Sequence, residues 1–325
     1  MKVSVDSSNV NEKISMMGIV GDSLSITEGG MTLKVSVDSS NVNEKISMMG
    51  MVGDSLSITE GGMTMKVSVD SSNVNELELP QSPSAGDMNY WNGSAWVSVS
   101  AGSQGSTLRF CDNKPIWVPE IGANDVYNPA TCKVWMDRNL GASRVATSKN
   151  DEDSYGDLYQ WGRGSDGHQT IVWASAGSSD GTEQSRQTTT LSMTDDPMSD
   201  KFITTTSSPN DWRSPQNDTL WQGVDGVNNP CPTGYRLPTE AEWEAERASW
   251  ISDDEVGAFA SPLKLPLAGY RSSSNGSLNG VGTAGNYWGS TVSGTDARSL
   301  RFNSSDAIVY TNGRAYGFSV RCIKD

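Results

Sequence analysis

The chain has 325 residues, 39 of them acidic and 24 basic, and its formal net charge is -15. Such a charge repels phosphate backbones, and no run rich in Lys and Arg offsets it, so nucleic acid is not expected as a partner. The length allows two or more domains, and the abundant Gly, Ser, Thr and Asn favour short strands joined by turns. The chain as given has no long apolar run and no apolar export-signal core, so we expect no membrane insertion.

A repeat of 32 residues opens the chain. Residues 2–33 recur at 34–65, with Met51 in place of Ile19 and Met65 in place of Leu33, and a third copy begins at 66–76. Each copy contains three alternating segments, KVSVD, KISMM and SLSIT, separated by the turn formers DSSN, GD and EGG. This pattern predicts about three short strands per copy.

One such copy cannot bury its apolar face, so stacked copies or copies from three chains would be needed to complete a core. Residues 1–76 are therefore predicted to form an all-β shaft that assembles a homotrimer, with a monomeric β-solenoid as the alternative. The pattern GDSLSITEGGMTLKVSVD resembles strand repeats of bacteriophage tail fibres and related surface fibres. That resemblance implies assembly with other tail or fibre proteins.

Residues 77–120 are predicted to be a connector. The segment LELPQSPSAG at 77–86 has two prolines among small polar residues, which is typical of a linker. Alternating residues around NGSA predict a β-hairpin, and STLRF predicts a further strand. Trp91 and Trp96 could stack on a sugar, although a Trp in a small β-module more often packs in a core. The connector looks like those that precede recognition domains in fibre-like proteins of Bacteroidetes and their phages.

Residues 121–325 are loop-rich, and one helix is predicted in CPTGYRLPTEAEWEAERASW. Thr239 suits the N-cap, Glu242 lies three residues further on and can close a capping box, and the acidic residues of the first turn suit the positive helix end.

Two segments of this region resemble known families. GYRLPTEAEWE resembles the signature of the formylglycine-generating-enzyme type of C-type lectin fold. VYNPATCKVWMDRNLGASRVATS and DSYGDLYQWGR resemble the Fibrobacter succinogenes major paralogous domain. The resemblance implies an α+β C-type lectin fold for 121–325, with two helices on a small twisted sheet and GFSVRC as the last strand.

The same residues argue against catalysis. Enzymes of the formylglycine-generating class oxidise a target cysteine with a cysteine pair near the domain end, whereas only Cys322 stands there. That residue is expected to be a buried apolar filler, and Cys231 could bridge to it or remain a thiol. His168 is the only histidine, which leaves neither a catalytic triad nor a multi-histidine metal site, and it is expected to be a solvated turn residue. We expect no enzyme, cofactor or metal; a degenerate enzyme of this class is the least favoured alternative.

Recognition is the remaining function class, and residues 286–317 have the composition for it. Tyr, Trp and Arg offer large rigid contacts among small, adaptable polar residues, as in antibody paratopes. Parity predicts that Leu300 and Phe302 face the core while Arg301 faces away, and that Ile308 and Tyr310 lie on the exposed face of the next segment.

This arrangement resembles the variable proteins of diversity-generating retroelements, in which randomised template adenines alter residues at the end of a C-type lectin domain. By that resemblance, the scaffold comprises Trp288, Arg314, Phe318, Val320, Arg321 and Cys322. The variable, ligand-binding surface comprises Tyr287, Gly289, Asp296, Arg298, Ser299, Arg301, Asp306, Ile308, Tyr310, Thr311, Gly313 and Tyr316.

The sequence therefore predicts a receptor-binding protein, the adhesin at the tip of a phage tail fibre. Its partner would be a protein or glycan receptor on the host cell surface, and the protein would act on the virion, outside the cell. The alternative is a bacterial surface or secreted adhesin with the same domain. An ordinary loop-rich surface without diversification is the further alternative.

Overall fold

The structure is a computed structural model. It describes residues 84–174 and 177–325 and, for residues before 84, the backbone of six strands. The chain forms two compact units, Met1–Pro83 with Trp91–Ser98 and Ser84–Tyr90 with Val99–Asp325. No helix within the described residues is long and apolar enough to cross a membrane.

The repeat copies each form a three-stranded antiparallel meander. The first contains β1 (Met16–Val20), β2 (Ser23–Glu28) and β3 (Met31–Ser36), and the second contains β4 (Ile46–Val52), β5 (Ser55–Glu60) and β6 (Met63–Ser68). Three strands per copy are confirmed, but the third strand crosses the copy boundary, since β3 joins MTL of one copy to KVS of the next. The first KVSVD, the DSSN, GD and EGG turns and residues 77–83 of the linker lie outside the described residues.

The connector has strands at the predicted places. The strands β7 (Met88–Trp91) and β8 (Trp96–Val99) flank the NGSA turn, where the Asn92 side chain accepts hydrogen bonds from the amides of Ser94 and Ala95. Trp91 and Trp96 meet edge to face with their ring centroids 6.0 Å apart, so the two rings support each other. STLRF provides β9 (Thr107–Cys111), which pairs with β10 (Lys114–Val118).

The remaining elements are mostly short strands, with three short α-helices and one 3-10 helix, Glu152–Ser154, among the described residues after 120. The α-helices are α1 (Thr182–Ser185), α2 (Glu240–Ala248) and α3 (Glu255–Ala260). The strands are β11 (Asp125–Asn128), β12 (Lys133–Met136), β13 (Tyr159–Gln160), β14 (Trp173–Ala174), β15 (Ser178–Ser179), β16 (Gln187–Thr188), β17 (Phe202–Ile203), β18 (Tyr235–Arg236), β19 (Tyr270–Arg271), β20 (Leu278–Asn279), β21 (Ala284–Ser293), β22 (Asp296–Asn303), β23 (Ala307–Asn312), β24 (Gly317–Phe318) and β25 (Ile323–Lys324).

Three sheets organise this region. Two have four strands, in the orders β11-β12-β25-β18 and β13-β24-β19-β20, and the third is the antiparallel meander β21-β22-β23. The predicted last strand GFSVRC is wrong as a single strand, because only Gly317–Phe318 of it forms a strand, and the next strand, β25, begins after it in a different four-stranded sheet. The residues between them are buried, and the Ser319 amide donates to the Asn286 carbonyl at 3.0 Å.

The predicted helix is confirmed with its cap. The Glu242 amide donates to the Thr239 hydroxyl at 3.3 Å, and the Glu242 carboxylate accepts from the Thr239 amide at 2.9 Å, which satisfies two otherwise free N–H groups. Trp243 and Glu246 are the buried residues of α2. Trp243 packs with Tyr287, Leu300 and other residues in the core beneath the β21-β22-β23 sheet. The helix therefore supports one face of this sheet.

Two disulfides join the described cysteines, Cys111 to Cys132 and Cys231 to Cys322. Cys322 is buried as expected, but it is bonded to Cys231 rather than being a lone apolar filler. Disulfides persist in oxidising compartments, so the two bridges indicate an extracellular setting.

The expectation for His168 is wrong. Its side chain is 1% exposed, its Nε2 accepts from the Gln160 amide at 3.0 Å, and its Nδ1 lies 2.6 Å from Asp166 Oδ1. Burial, together with the nearby Arg163 charge, lowers the pKa of His168 to about 3. His168 is thus a neutral structural residue at ordinary pH, and its contacts with Gln160 and Asp166 hold the surrounding loop in place.

Candidate functional site

The two faces of the β21-β22-β23 sheet have different environments. Leu300 and Phe302 are fully buried on the α2 side, whereas Ile308 is 44% exposed on the other side. The register places Arg301 between Asn286 of β21 and Ile308 of β23. The predicted parity is therefore confirmed for these strands, and the face that carries Arg301 and Ile308, called here the outer face, is the candidate recognition surface.

A cavity of about 270 Å³ opens on the outer face. Its polar lining comes from Tyr270, Asn286, Arg301, Tyr310, Asn312 and Tyr316, and Ala284 and Phe318 complete the wall. Five of these eight residues belong to β21, β22 and β23, and the other three lie on β19, on β24 and in the turn before β24. The cavity is thus built on the sheet and closed on one side by the neighbouring sheet.

Aromatic rings form one wall of this cavity. Tyr316 lies edge to face with Tyr270 at 5.9 Å between centroids and is stacked on Phe318 at 5.7 Å. Phe318 is in turn stacked on buried Trp288 at 4.3 Å. Because each ring packs on a deeper one, the wall holds its shape at low entropic cost before any ligand binds.

The charged part of the site is one ion pair. Arg301 Nη2 donates to both oxygens of Asp306, at 3.0 and 2.7 Å, and the guanidinium lies 5.7 Å from the centroid of the Tyr310 ring. The two side chains of the pair are 33% and 49% exposed, so solvent screens the pair and its net contribution to stability is small. Its effect is to hold Arg301 in one orientation beside Tyr310.

Tyrosine hydroxyls face a shared space in the cavity. Burial raises the pKa of Tyr270, and the nearby Tyr316 and Tyr310 hydroxyls raise it further. Other tyrosines use their hydroxyls inside the fold, as when Tyr287 donates to the Pro266 carbonyl at 2.8 Å. Among the described residues, none hydrogen-bonds the hydroxyls of Tyr270, Tyr310 or Tyr316.

Eight of the twelve predicted surface residues are at least partly exposed, and they are Asp296, Arg298, Arg301, Asp306, Ile308, Tyr310, Thr311 and Tyr316. Arg301, Tyr310 and Tyr316 line the cavity, and Asp306 contacts it through Arg301. Arg298 lies 3.2 Å from Glu240 at the start of α2. Arg298, Asp296 and Thr311 are not among the residues that line the cavity.

The other four predicted surface residues are buried, so their assignment to the surface is wrong. Tyr287 is fully buried, since its ring packs between Trp243 and Phe302 beneath the sheet. Ser299 is on the outer side but is fully covered, and its hydroxyl accepts from the Asn312 amide at 2.9 Å.

Gly289 and Gly313 are buried at crowded positions. A Cβ at Gly289 would lie 3.2 Å from the carbonyl oxygens of Arg298 and Pro238. The Gly289 carbonyl also accepts from the Trp161 indole at 2.9 Å, which holds the irregular stretch of β21 in place. A Cβ at Gly313 would lie 2.7 Å from Asn210 Nδ2. Both glycines therefore belong to the scaffold.

The predicted scaffold residues are all buried. Trp288, Val320 and Cys322 are fully buried, and Arg314, Phe318 and Arg321 are 1 to 2% exposed. Arg321 illustrates the role, because its guanidinium donates to the Asn139 side chain at 2.9 Å and to the Leu263 carbonyl at 2.7 Å.

Tyr270, Asn286 and Asn312 line the cavity but were not predicted to bind ligand. Tyr270 precedes the stretch 286–317, and its approach depends on the pairing of β19 with β24. Asn286 and Asn312 lie inside that stretch, on strand faces that parity with Arg301 could have identified: Asn286 is directly opposite Arg301, and Asn312 lies two residues beyond Tyr310.

A second cavity, of about 280 Å³, is lined by Asp166, Asp195, Asp196 and neighbouring residues. Two of these carboxylates are already paired, Asp166 with Arg163 and His168, and Asp195 with Arg213. Within the described residues, no group of three or more His, Cys, Asp or Glu side chains could hold a metal ion. This cavity therefore offers a ligand fewer polar side chains without a hydrogen-bond or ion-pair partner than the outer-face cavity does.

Comparisons of the chain with protein-family models, with curated proteins and with solved structures found no match in any of the three.

Proposed function

We propose that this protein is a receptor-binding protein that recognises a protein or glycan on a cell surface through the outer face of the β21-β22-β23 sheet. The observation that carries the proposal is the cavity, where Arg301 and Tyr310 of the sheet lie beside Tyr316 of the turn before β24. Tyr and Arg are the residues that contribute most to binding at protein interfaces. A concave site with an aromatic wall and a few convergent polar groups is also the usual form of a ligand pocket.

The fold that we propose for residues 121–325 is the C-type lectin fold of the formylglycine-generating-enzyme subtype. The capped helix α2, the small sheets and the long ordered loops support this proposal, as do GYRLPTEAEWE and the other motifs. On this basis the N-terminal repeats form a trimeric shaft that presents three heads. Three weak sites on one shaft would bind a cell surface far more tightly than one site does.

We place the protein first at the tip of a phage tail fibre, where a retroelement would diversify the outer face. Arg301, Ile308, Tyr310 and Tyr316 are at least partly exposed, so their exchange costs the fold less than exchange of the buried residues beneath the sheet, which α2 supports. The diversified set excludes Tyr287, Gly289, Ser299 and Gly313, which the core requires.

The two disulfides favour the second candidate, a bacterial surface or secreted adhesin with the same head. Phage structural proteins fold in the cytosol, where thiols are kept reduced, whereas exported proteins acquire disulfides readily. A reverse transcriptase gene and an imperfect repeat of the coding sequence for 286–325 in the flanking DNA would support diversification in either case. Adjacent tail or baseplate genes would favour the phage, and an export signal on a longer precursor would favour the bacterium.

The test is binding of the full chain to a panel of intact bacteria, read by flow cytometry. The triple variant Arg301→Ala, Tyr310→Ala, Tyr316→Ala should lose binding to every strain that the wild type binds, while its circular dichroism spectrum shows that it remains folded. A matched control replaces the exposed Met193, Met198 and Ile251 with Ala, and it should bind normally. A triple variant that still binds, or a wild type that binds no strain, would overturn the proposal.

A further inference from the structure

We propose that the outer-face cavity binds a neutral sugar ring, so that the receptor is recognised through a glycan rather than through a protein surface. This inference rests on the proposed function and specifies its ligand. It comes from the size of the cavity, the aromatic wall and the kind of polar groups that line it.

The size of the cavity favours a single ring. Pockets for drug-sized ligands occupy about 300–1,000 Å³, and this cavity, of about 270 Å³, is smaller than that range. It is open on the outer face, so a sugar at the end or side of a longer chain can enter while the rest of the glycan stays in solvent. A flat protein surface would leave such a depression unfilled unless it presented one protruding side chain.

The aromatic wall suits the apolar face of a pyranose ring. Axial C–H groups of a sugar carry partial positive charge and pack on the electron-rich face of an aromatic ring. Tyr316 is held against Phe318 and Tyr270, so its orientation is set before binding. Tyr310, on β23, contributes a further aromatic ring to the lining of the same cavity.

The polar lining suits hydroxyl groups. A sugar hydroxyl both donates and accepts hydrogen bonds, and so do a phenol and a carboxamide. Tyr270, Tyr310 and Tyr316 supply hydroxyls with no hydrogen-bond partner in the described part of the chain. The amides of Asn286 and Asn312 each donate to the fold, to the Gly269 carbonyl and the Ser299 hydroxyl, which turns the side chains to fixed positions.

The charge balance favours a neutral sugar over an acidic one. Arg301 is the single charged residue of the lining, and both oxygens of Asp306 already accept from its Nη2. A ligand carboxylate would bring a second negative charge close to the Asp306 carboxylate, and that repulsion disfavours it. A neutral sugar meets no such repulsion and can accept from the guanidinium N–H groups that do not bind Asp306.

In the direct test, the full chain is titrated with methyl glycosides of glucose, galactose, mannose and N-acetylglucosamine, and with glucuronic and sialic acid. Binding of each sugar is measured by saturation-transfer NMR. We expect at least one neutral sugar to bind more tightly than either acid. Tyr270→Phe and Tyr316→Phe each remove one hydroxyl and should weaken that binding about 2- to 10-fold. Tyr127→Phe is the matched control, because Tyr127 lies under Arg109 away from the cavity, and it should bind as the wild type does.

A second arm separates this inference from the proposed function. Bacteria that the full chain binds are treated either with periodate, which cleaves sugar diols, or with protease. Loss of binding after periodate alone supports the glycan. Loss after protease alone, with binding retained after periodate, would overturn the sugar inference and leave the receptor-binding proposal standing. Binding of no neutral sugar, or binding that the cavity variants do not change, would also overturn it.

Discussion

Asp157→Asn is expected to stabilise the protein at neutral pH and to have little effect in acid. Asp157 accepts a hydrogen bond from the Ile171 amide, but burial dominates and raises the pKa of its carboxyl from 3.8 to about 6, against a smaller opposing effect of Arg186. A folded-state pKa above the unfolded value means that the protonated form favours folding. The associated stability is therefore fully present below pH 3.8 and is lost as the pH rises through 6.

The size of the effect follows from the two pKa values. Each pKa unit corresponds to about 1.4 kcal/mol, so ionised Asp157 lowers the free energy of unfolding by about 3 kcal/mol above pH 7. The neutral amide of Asn has no such cost. In urea titrations followed by Trp fluorescence, the variant should be about 3 kcal/mol more stable than wild type at pH 8 and less than about 1 kcal/mol more stable at pH 4. A difference that does not vary with pH would refute this reasoning.

Asp151→Asn provides the control of opposite sign in the same segment. Arg144 donates to the Asp151 carboxylate at 2.7 Å, as do the amide and hydroxyl of Thr147, and these contacts lower the pKa of Asp151 to about 2. A depressed pKa contributes stability above pH 3.8 that is lost as the pH falls through 2. The variant should be less stable than wild type at pH 7, by about 1 kcal/mol once solvent screening of the half-exposed Arg144 is allowed for.

Three further predictions concern the scaffold and can be checked by the same urea titrations. Thr239→Ala removes the α2 cap and should lower the free energy of unfolding by about 1 kcal/mol. Thr239→Ser keeps a capping hydroxyl and should retain most of that stability. Gly313→Ala should destabilise the fold because its Cβ would meet Asn210, and a stable variant would restore Gly313 to the exchangeable set. Leu300→Ala should cost about 2–5 kcal/mol, whereas Ile308→Ala on the opposite face should change stability by less than about 0.5 kcal/mol; equal effects would contradict the assignment of faces.

The sequence predicted those parts of the fold that local rules determine. The α2 helix was found because its cap needs only Thr239 and Glu242 at the right spacing, and the connector strands because turn residues separate alternating segments. Parity was sufficient for β22 and β23, where Leu300 is buried and Ile308 exposed. In each case a few neighbouring residues carry the whole signal.

Long-range packing determined the features that the sequence did not show. His168 lies in a loop, and the residues that pack on it include Phe202 and Arg271, which are distant in sequence. The sequence around Gly289 does not show that the position is crowded; in the structure, the Pro238 and Arg298 carbonyl oxygens lie 3.2 Å from where a Cβ would be. The pairing of Cys231 with Cys322 was left open because the spacing alone permits either a bridge or two thiols.

The candidate site was predicted only in part for the same reason. Arg301, Tyr310 and Tyr316 were identified by composition and parity, but Tyr270 enters the cavity from another sheet. Tyr287 was misplaced because its pairing partner could not be known from the sequence: it lies directly opposite buried Leu300, on the core side of the sheet. A surface made of three strands and a neighbouring sheet cannot be read from one segment.

Hydroxyl-radical footprinting of the full chain, with and without saturating target cells or their isolated envelopes, tests the central claim most directly. If the outer face is the recognition surface, Tyr310 and Tyr316 should be protected from oxidation in the bound state, and Met193 and Met198 on exposed loops should be oxidised equally in both states. Protection at the methionines, with Tyr310 and Tyr316 still oxidised at the free rate, would place the binding surface elsewhere and contradict the account.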